Sequence, residues 1–166
     1  MNRSETPSTL SPFARILLDT NVISETRRKT PDAQVQRWFE QQRSANLFLS
    51  SFTISEIVFG GESHQQTHVR QEITDWLEGT VLPNFAGRIL SFDLEAALIY
   101  GRWAGRARIQ GTTLSRTDAQ IAAIALAHGM VIATRNTEDF KRLPVRLVNP
   151  WDDSGRDDTE QTSVLR

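Results

Sequence analysis

Short apolar segments alternate with amphipathic segments along most of the chain, and this alternation constrains the fold more than any other feature. The apolar segments have the length of buried strands and lie at 14–19, 46–51, 87–93, 130–134 and 145–151. Strands that alternate with helices pack as a largely parallel sheet covered by helices on both faces. The sequence therefore predicts an α/β fold, a three-layer α/β/α sandwich with a central, mainly parallel sheet.

The amphipathic segments between the strands predict the helices. Their apolar residues recur at helical spacing, and the segments lie at 20–27, 32–43, 53–61, 67–79, 94–111, 117–129 and 136–143. Glycines are expected to end three of them, at Gly60–Gly61, Gly79 and Gly129, because glycine is favoured just past a helix C-terminus.

Composition predicts one domain flanked by two loose ends. Residues 14–151 hold the alternating pattern and are long enough for a single core. Residues 1–13 are rich in Ser, Thr and Pro, and residues 152–166 are polar and acidic, so both are expected to be disordered.

The chain has no cysteine, which excludes a disulfide framework and a cysteine-ligated zinc site. Its start lacks the apolar core of a signal peptide, and its longest apolar run, at 121–127, is far shorter than the ~20 residues that span a bilayer. We therefore expect a cytoplasmic protein that does not bind membranes.

The formal net charge is −1, so nucleic-acid binding cannot be inferred from bulk charge. Basic residues are nevertheless clustered locally, and a solvated face is the ordinary explanation for such clusters. The arginines that are near the strand ends in sequence are candidates for phosphate contacts: Arg27, Arg28, Arg106, Arg108, Arg116 and Arg135.

Four acids, Asp19, Glu56, Asp118 and Asp139, lie at or close to the starts of helices that follow strands. In a parallel α/β sheet these positions share one rim, where binding sites form. The sequence also allows a purely structural explanation for each acid.

Helix capping is that structural explanation. Asp19 can be an N-cap, and Asp118 and Asp139 can favour the helix dipole from a first turn. Thr53 with Glu56 matches a capping box. Thr117 with Gln120 matches another, and capping does not require the four acids to meet.

If the acids converge, their mutual repulsion calls for a divalent cation. Oxygen ligands without cysteine or histidine suit Mg²⁺ or Mn²⁺. Such a site supports the attack of water on a phosphodiester.

Four segments in combination resemble the PIN-domain ribonucleases. They are "ILLDTNVISE", "LSSFTISEI", "TDAQIAAIALAHGMVIATRNTEDF" and the terminal "NPW", and the resemblance spans residues 15–151. The closest likeness is to the toxins of VapBC-type toxin–antitoxin pairs, including the FitB subgroup. The resemblance implies a homodimeric RNA-cleaving enzyme that depends on Mg²⁺ or Mn²⁺ and is paired with a small DNA-binding antitoxin.

The resemblance also implies roles for individual residues. The catalytic and metal-binding acids would be Asp19, Glu56 and Asp118. The fourth acid of the family falls at either of two positions, which are Asn136 and Asp139 here, and Asp139 is the expected ligand. Four polar residues would support the site through hydrogen bonds: Thr20, Asn21, Thr134 and Asn136.

Two other functions remain open. A strand that ends in Asp–Thr also begins phosphohydrolases with an aspartate nucleophile, but these need a second acid where this chain has Asn21. A catalytically inactive PIN-like module that binds RNA or a partner is the second alternative.

His64 and His68 have helical spacing but lack the glutamate of a zincin motif, so a zinc site there is not expected.

Overall fold

A computed structural model of the chain describes residues 14–152. Five strands form one sheet in the order β3-β2-β1-β4-β5, and each pair of neighbours is parallel. The strands are β1 (Ile16–Leu18), β2 (Leu47–Ser50), β3 (Ile89–Leu90), β4 (Val131–Ala133) and β5 (Arg146–Val148). The predicted α/β fold class is confirmed.

Eight α-helices connect these strands within the described residues. They are α1 (Thr20–Glu25), α2 (Ala33–Gln41), α3 (Ser51–Glu62), α4 (Thr67–Trp76), α5 (Leu82–Asn84), α6 (Leu94–Ile109), α7 (Arg116–Ala127) and α8 (Thr137–Phe140). A single 3₁₀ turn, Ser44–Asn46, precedes β2, and a π-helical turn, Leu77–Val81, joins α4 to α5.

Two apolar cores lie on opposite faces of the sheet because successive strand residues point to opposite sides. Leu17 and Ile132 pack with α6 and α7 on one face, where Trp103 is buried. Ile16 and Leu18 pack on the other face with α1, α3 and the π-helical turn. Helices on both faces make the three-layer sandwich.

Two predicted helix ends are wrong. Gly60 and Gly61 lie inside α3, which continues to Glu62. A Cβ on Gly61 would stand 3.0 Å from Cγ2 of Ile73, so this glycine permits close packing of α3 on α4. Gly79 likewise does not end a helix, because the π-helical turn carries the chain on to α5. Gly129, with φ of 62°, does follow the end of α7 as predicted.

The expected disorder of residues 1–13 and 152–166 lies outside the described residues, except at Asp152, which is described and exposed. Within residues 14–152, no helix combines the length and the hydropathy that crossing a membrane requires.

The sheet order creates a switch point between β1 and β4. The connections leaving these adjacent strands run to opposite sides, toward β2 from β1 and toward β5 from β4, and ligands of open α/β sheets bind outside such a point. Leu18 is in register with Ala133, so the residues that follow them, Asp19 and Thr134, emerge side by side.

Candidate active site

Asp19 lies at the carboxyl end of β1 and is 6% exposed. Its backbone N–H donates to the carbonyl of Ala133 (2.9 Å), which continues the pairing of β1 with β4. Its side chain is the N-cap of α1, and Oδ1 accepts a hydrogen bond from the backbone N–H of Thr20 (2.8 Å). The predicted cap is therefore present, but it occupies only one carboxylate oxygen.

The second oxygen of Asp19 is held by side chains. Oδ2 accepts hydrogen bonds from Nδ2 of Asn21 (2.7 Å) and from the hydroxyl of Thr134 (2.7 Å). Thr134 is fully buried, and its hydroxyl also accepts from the backbone N–H of Asn136 (3.0 Å). Oδ1 of Asn21 accepts from the backbone N–H of Arg135 (3.0 Å), so this network joins the ends of β1 and β4.

Glu56 lies in the second turn of α3 and faces α1, where the hydroxyl of Thr20 donates to its Oε2. The predicted capping box of Thr53 and Glu56 is wrong, because the N-cap is Ser50, whose Oγ accepts from the backbone N–H of Thr53 (3.0 Å). Thr53 is instead buried against β1, with its hydroxyl 3.4 Å from the carbonyl of Leu18. This contact fixes α3, and with it Glu56, relative to Asp19.

Asp118 lies in the first turn of α7, as predicted. The capping box proposed for Thr117 and Gln120 is wrong, because α7 begins at Arg116 and its N-cap is Ser115, which makes no side-chain capping bond. The negative charge of Asp118 acts on both Asp19 and Glu56. Three acids from separate parts of the sequence therefore share one electrostatic environment.

The pKa values of two of these acids are raised. Burial is the main reason that the pKa of Asp19 lies above its ordinary value, and the charge of Asp118 adds to it, while hydrogen bonds from Thr134, Thr20 and Asn21 oppose it. Burial also raises the pKa of Glu56, with contributions from Asp19 and Asp118, against the hydrogen bond from Thr20. Ionising these carboxylates together is thus unfavourable without a compensating charge.

Asp139 is exposed in the first turn of α8, and its backbone N–H donates to the carbonyl of Asn136 (3.2 Å). Asn136 begins α8 without a side-chain capping bond. Thr20 thus links Asp19 and Glu56 by donating a hydrogen bond to each, and the charge of Asp118 acts on both. Asp139 lies exposed on α8.

A hard divalent cation fits this set of acids, because three clustered carboxylates supply oxygen donors and repel each other in its absence. As positioned within residues 14–152, no three Asp, Glu, His or Cys side chains form a ready-made ligand set. Glu56 and Asp118 are only partly buried, so both residues are accessible from solvent.

The candidate phosphate-binding arginines occupy different surroundings. Arg28 pairs with the buried Glu25 (3.2 Å), which also accepts from the backbone N–H of Asp32 (2.9 Å). Arg27 lies over the ring of Trp76, 6.0 Å from its centroid. Arg106 and Arg108 are in the last turn of α6, Arg116 begins α7, and Arg135 directly follows Thr134.

Two residues help to position the elements around the site, and the sequence analysis did not predict this role for either of them. Thr53 supports α3 against β1, and the spacing "SSFT" could have indicated Ser50 as the cap. Glu25 holds the turn between α1 and α2, and no motif in the sequence signals its burial.

Comparison with known proteins identifies the family of this chain. A profile of the PIN domain matches residues 16–145, which include Asp19, Glu56 and Asp118. The chain belongs to the PIN-domain family. VapC ribonuclease Y4jK of Sinorhizobium fredii (strain NBRC 101917 / NGR234) is 40% identical over 137 residues, or 82% of this chain and 98% of that relative.

Another relative of this PIN-domain protein is a toxin. Toxin FitB of Neisseria gonorrhoeae (strain ATCC 700825 / FA 1090) is 38% identical over 138 residues, or 83% of this chain and 99% of the relative. The solved structure of FitAB bound to an IR36 DNA fragment superposes with a TM-score of 0.76 at 37% identity, covering 84% of this chain and 97% of that one. The relatives are thus matched almost from end to end.

Proposed function

We propose that this PIN-domain protein is a metal-dependent endoribonuclease and the toxin component of a toxin–antitoxin pair. The observation that carries the proposal is that Thr20 donates hydrogen bonds to both Asp19 and Glu56, which holds the two acids together at the end of β1. Asp118, in the first turn of α7, adds a third negative charge that raises the pKa of both acids. The likeness to a VapC ribonuclease and to toxin FitB supports the same function.

In this proposal Asp19, Glu56 and Asp118 hold Mg²⁺ or Mn²⁺. When bound, the cation supplies the positive charge that activates water and stabilises the phosphate during hydrolysis of the phosphodiester. Asp139, which is exposed in the first turn of α8, is the proposed fourth acid and metal ligand.

The hydrogen-bonding residues orient these carboxylates before the cation binds. Thr134 and Asn21 fix Oδ2 of Asp19, while Thr20 fixes Oε2 of Glu56. Asn136 is proposed to complete the polar lining next to Thr134. Such supporting partners typically contribute about 10–100-fold to metal affinity or activity.

The partners are proposed on the same basis. The RNA substrate approaches the acidic rim, where arginines must supply the charge that attracts its phosphates. The likeness to the structure of FitAB on DNA supports a cognate antitoxin that binds DNA, and a homodimer in the cytoplasm completes the proposal.

The test is cleavage of a mixed pool of structured RNAs by purified protein freed of antitoxin, with Mg²⁺, with Mn²⁺ and with a chelator. We expect cutting with either metal and none with the chelator. Absence of cutting together with absence of metal binding in calorimetry would favour the alternative, an inactive binding module.

A further inference from the structure

The C-terminal motif "NPW" has no role in the site described so far, although it directly follows β5. Oδ1 of Asn149 accepts a hydrogen bond from the backbone N–H of Trp151 (3.1 Å), and Pro150 is buried. Trp151 is partly buried and packs against the core cluster that includes Val131 and Val148. The tryptophan ring is therefore fixed at the end of β5 that neighbours Thr134, whose N–H donates to the carbonyl of Val148 (3.0 Å).

Arg135 lies over this ring. Its guanidinium carbon is 5.3 Å from the centroid of Trp151, a cation–π distance. Its backbone N–H is bonded to Asn21, the residue whose amide also donates to Asp19. The backbone of Arg135 is thus held by the hydrogen-bond network of Asp19, and its guanidinium is held by the ring of Trp151.

This arginine keeps its capacity to bind an anion. Arg135 is exposed, and within residues 14–152 it forms no salt bridge with a carboxylate. A guanidinium stacked on an aromatic face still presents N–H groups at its edge, which match phosphate oxygens in geometry. Stacking also reduces the side-chain entropy that such a contact costs.

The three acids make the rim at the strand ends negatively charged, so an arginine held beside them would help RNA to bind. Three carboxylates repel the RNA backbone, so a phosphate can approach only if positive charge stands beside them. Arg135 is one residue from Thr134, which bonds to Asp19, whereas Arg28 is already paired with Glu25.

We propose that Trp151 is a positioning residue that holds the Arg135 guanidinium at the acidic rim, where it binds a phosphate of single-stranded RNA. This inference rests on the proposed ribonuclease function and adds a phosphate-binding subsite to it.

The experiment measures binding of a fluorescein-labelled single-stranded RNA by anisotropy, in chelator so that no cleavage occurs, across a series of salt concentrations. The variants are Arg135→Gln, Trp151→Leu, Trp151→Phe and the double variant Arg135→Gln/Trp151→Leu. Arg146→Gln is the matched control, because Arg146 is an exposed arginine at the start of β5. The strands are parallel, so Arg146 lies at the end of the sheet opposite the acids. Kinetic constants for cleavage in Mg²⁺ are measured in parallel.

We expect Arg135→Gln to weaken binding and to lower the slope of log K against log salt by about 0.7, the value for one phosphate contact to a single strand. Trp151→Leu should weaken binding on the order of 2–5-fold, and Trp151→Phe should restore most of it because phenylalanine keeps an aromatic face. The double variant should bind no worse than Arg135→Gln. In cleavage, KM should rise with little change in kcat.

Three results would overturn the inference: an unchanged salt slope in Arg135→Gln, an equal loss in Arg146→Gln, or a further loss in the double variant, which would mean that Trp151 contacts RNA itself. Failure of the proposed function looks different, because wild type would then bind RNA without cutting it in any metal. If wild type does not bind RNA, the subsite is absent and the inference is wrong.

Discussion

The hydroxyl of Thr134 donates a 2.7 Å hydrogen bond to Oδ2 of Asp19, although the two residues are 115 positions apart in sequence. The bond crosses the switch point between β1 and β4 and fixes the oxygen of Asp19 that the helix cap leaves available. We expect Thr134→Val to lower metal affinity and kcat by about 10–100-fold, since the carboxylate loses an orienting donor.

The matched variant Thr134→Ser keeps the hydroxyl and should retain most of the activity. Calorimetric titration with Mn²⁺ and steady-state cleavage rates measure the two effects. Equal rates for the valine and serine variants would mean that this hydrogen bond does not serve the site.

The melting temperature of Glu56→Gln, compared with that of wild type at several pH values, should show that ionised Glu56 destabilises the metal-free site. The folded state raises the pKa of Glu56 above its value in the unfolded chain. At a pH above both pKa values the ionised carboxylate therefore lowers the free energy of unfolding, and this effect disappears once the pH falls below the pKa of the unfolded chain. Without divalent metal, the glutamine variant should therefore melt at a higher temperature than wild type at pH 8. The difference should shrink as the pH approaches the ordinary value of 4.5. A difference that grows on acidification would refute this account of Glu56.

Divalent metal should stabilise the folded protein through the same acids. A cation at a concentration 100 times its dissociation constant adds about 2.7 kcal/mol to the free energy of unfolding. For a chain of this size that is on the order of 5–10 °C in melting temperature. We expect this Mg²⁺-dependent shift in wild type and its loss in Asp118→Asn, measured by differential scanning calorimetry. A full shift in the variant would show that Asp118 does not hold the cation.

Two adjacent glycines of α3 should respond in opposite ways to alanine. Gly61→Ala places a Cβ 3.0 Å from Cγ2 of Ile73, so we expect a loss of roughly 1–3 kcal/mol in the free energy of unfolding. At Gly60 the added methyl meets nothing within 4 Å, and alanine should be neutral or stabilising by up to about 1 kcal/mol. Urea denaturation compares the two, and similar effects at both positions would contradict the packing role of Gly61.

The sequence predicted the fold class because period and length distinguish strands from helices locally. It also placed Asp19 and Asp118 at helix starts, since these follow from strand and helix boundaries. Strand order was not predictable in this way. The contact between Asp19 and Thr134 depends on β4 pairing with β1, and local pattern carries no information about which strands become neighbours.

Two of the wrong predictions have a common physical cause, which is that tertiary packing outweighs local preference. Gly61 suggested a helix end, yet it lies inside α3, where the missing side chain lets Ile73 pack closely against the helix. Thr53 suggested a cap, yet it is buried against the carbonyl of Leu18 while Ser50 caps the helix. The assignment of Asp139 as the fourth acid stays a prediction.

The central claim is that Asp19 serves a cation and does not merely cap α1. The measurement that tests it most directly is the Mg²⁺-dependent rate of RNA cleavage by Asp19→Asn beside Asp32→Asn. Asp32 is the N-cap of α2, with Oδ1 accepting from the backbone N–H of Gln34 (2.8 Å), and asparagine caps helices about as well as aspartate. The account predicts that cleavage is lost in Asp19→Asn and unchanged in Asp32→Asn, with both variants folded. Cleavage by Asp19→Asn at the wild-type rate would contradict it.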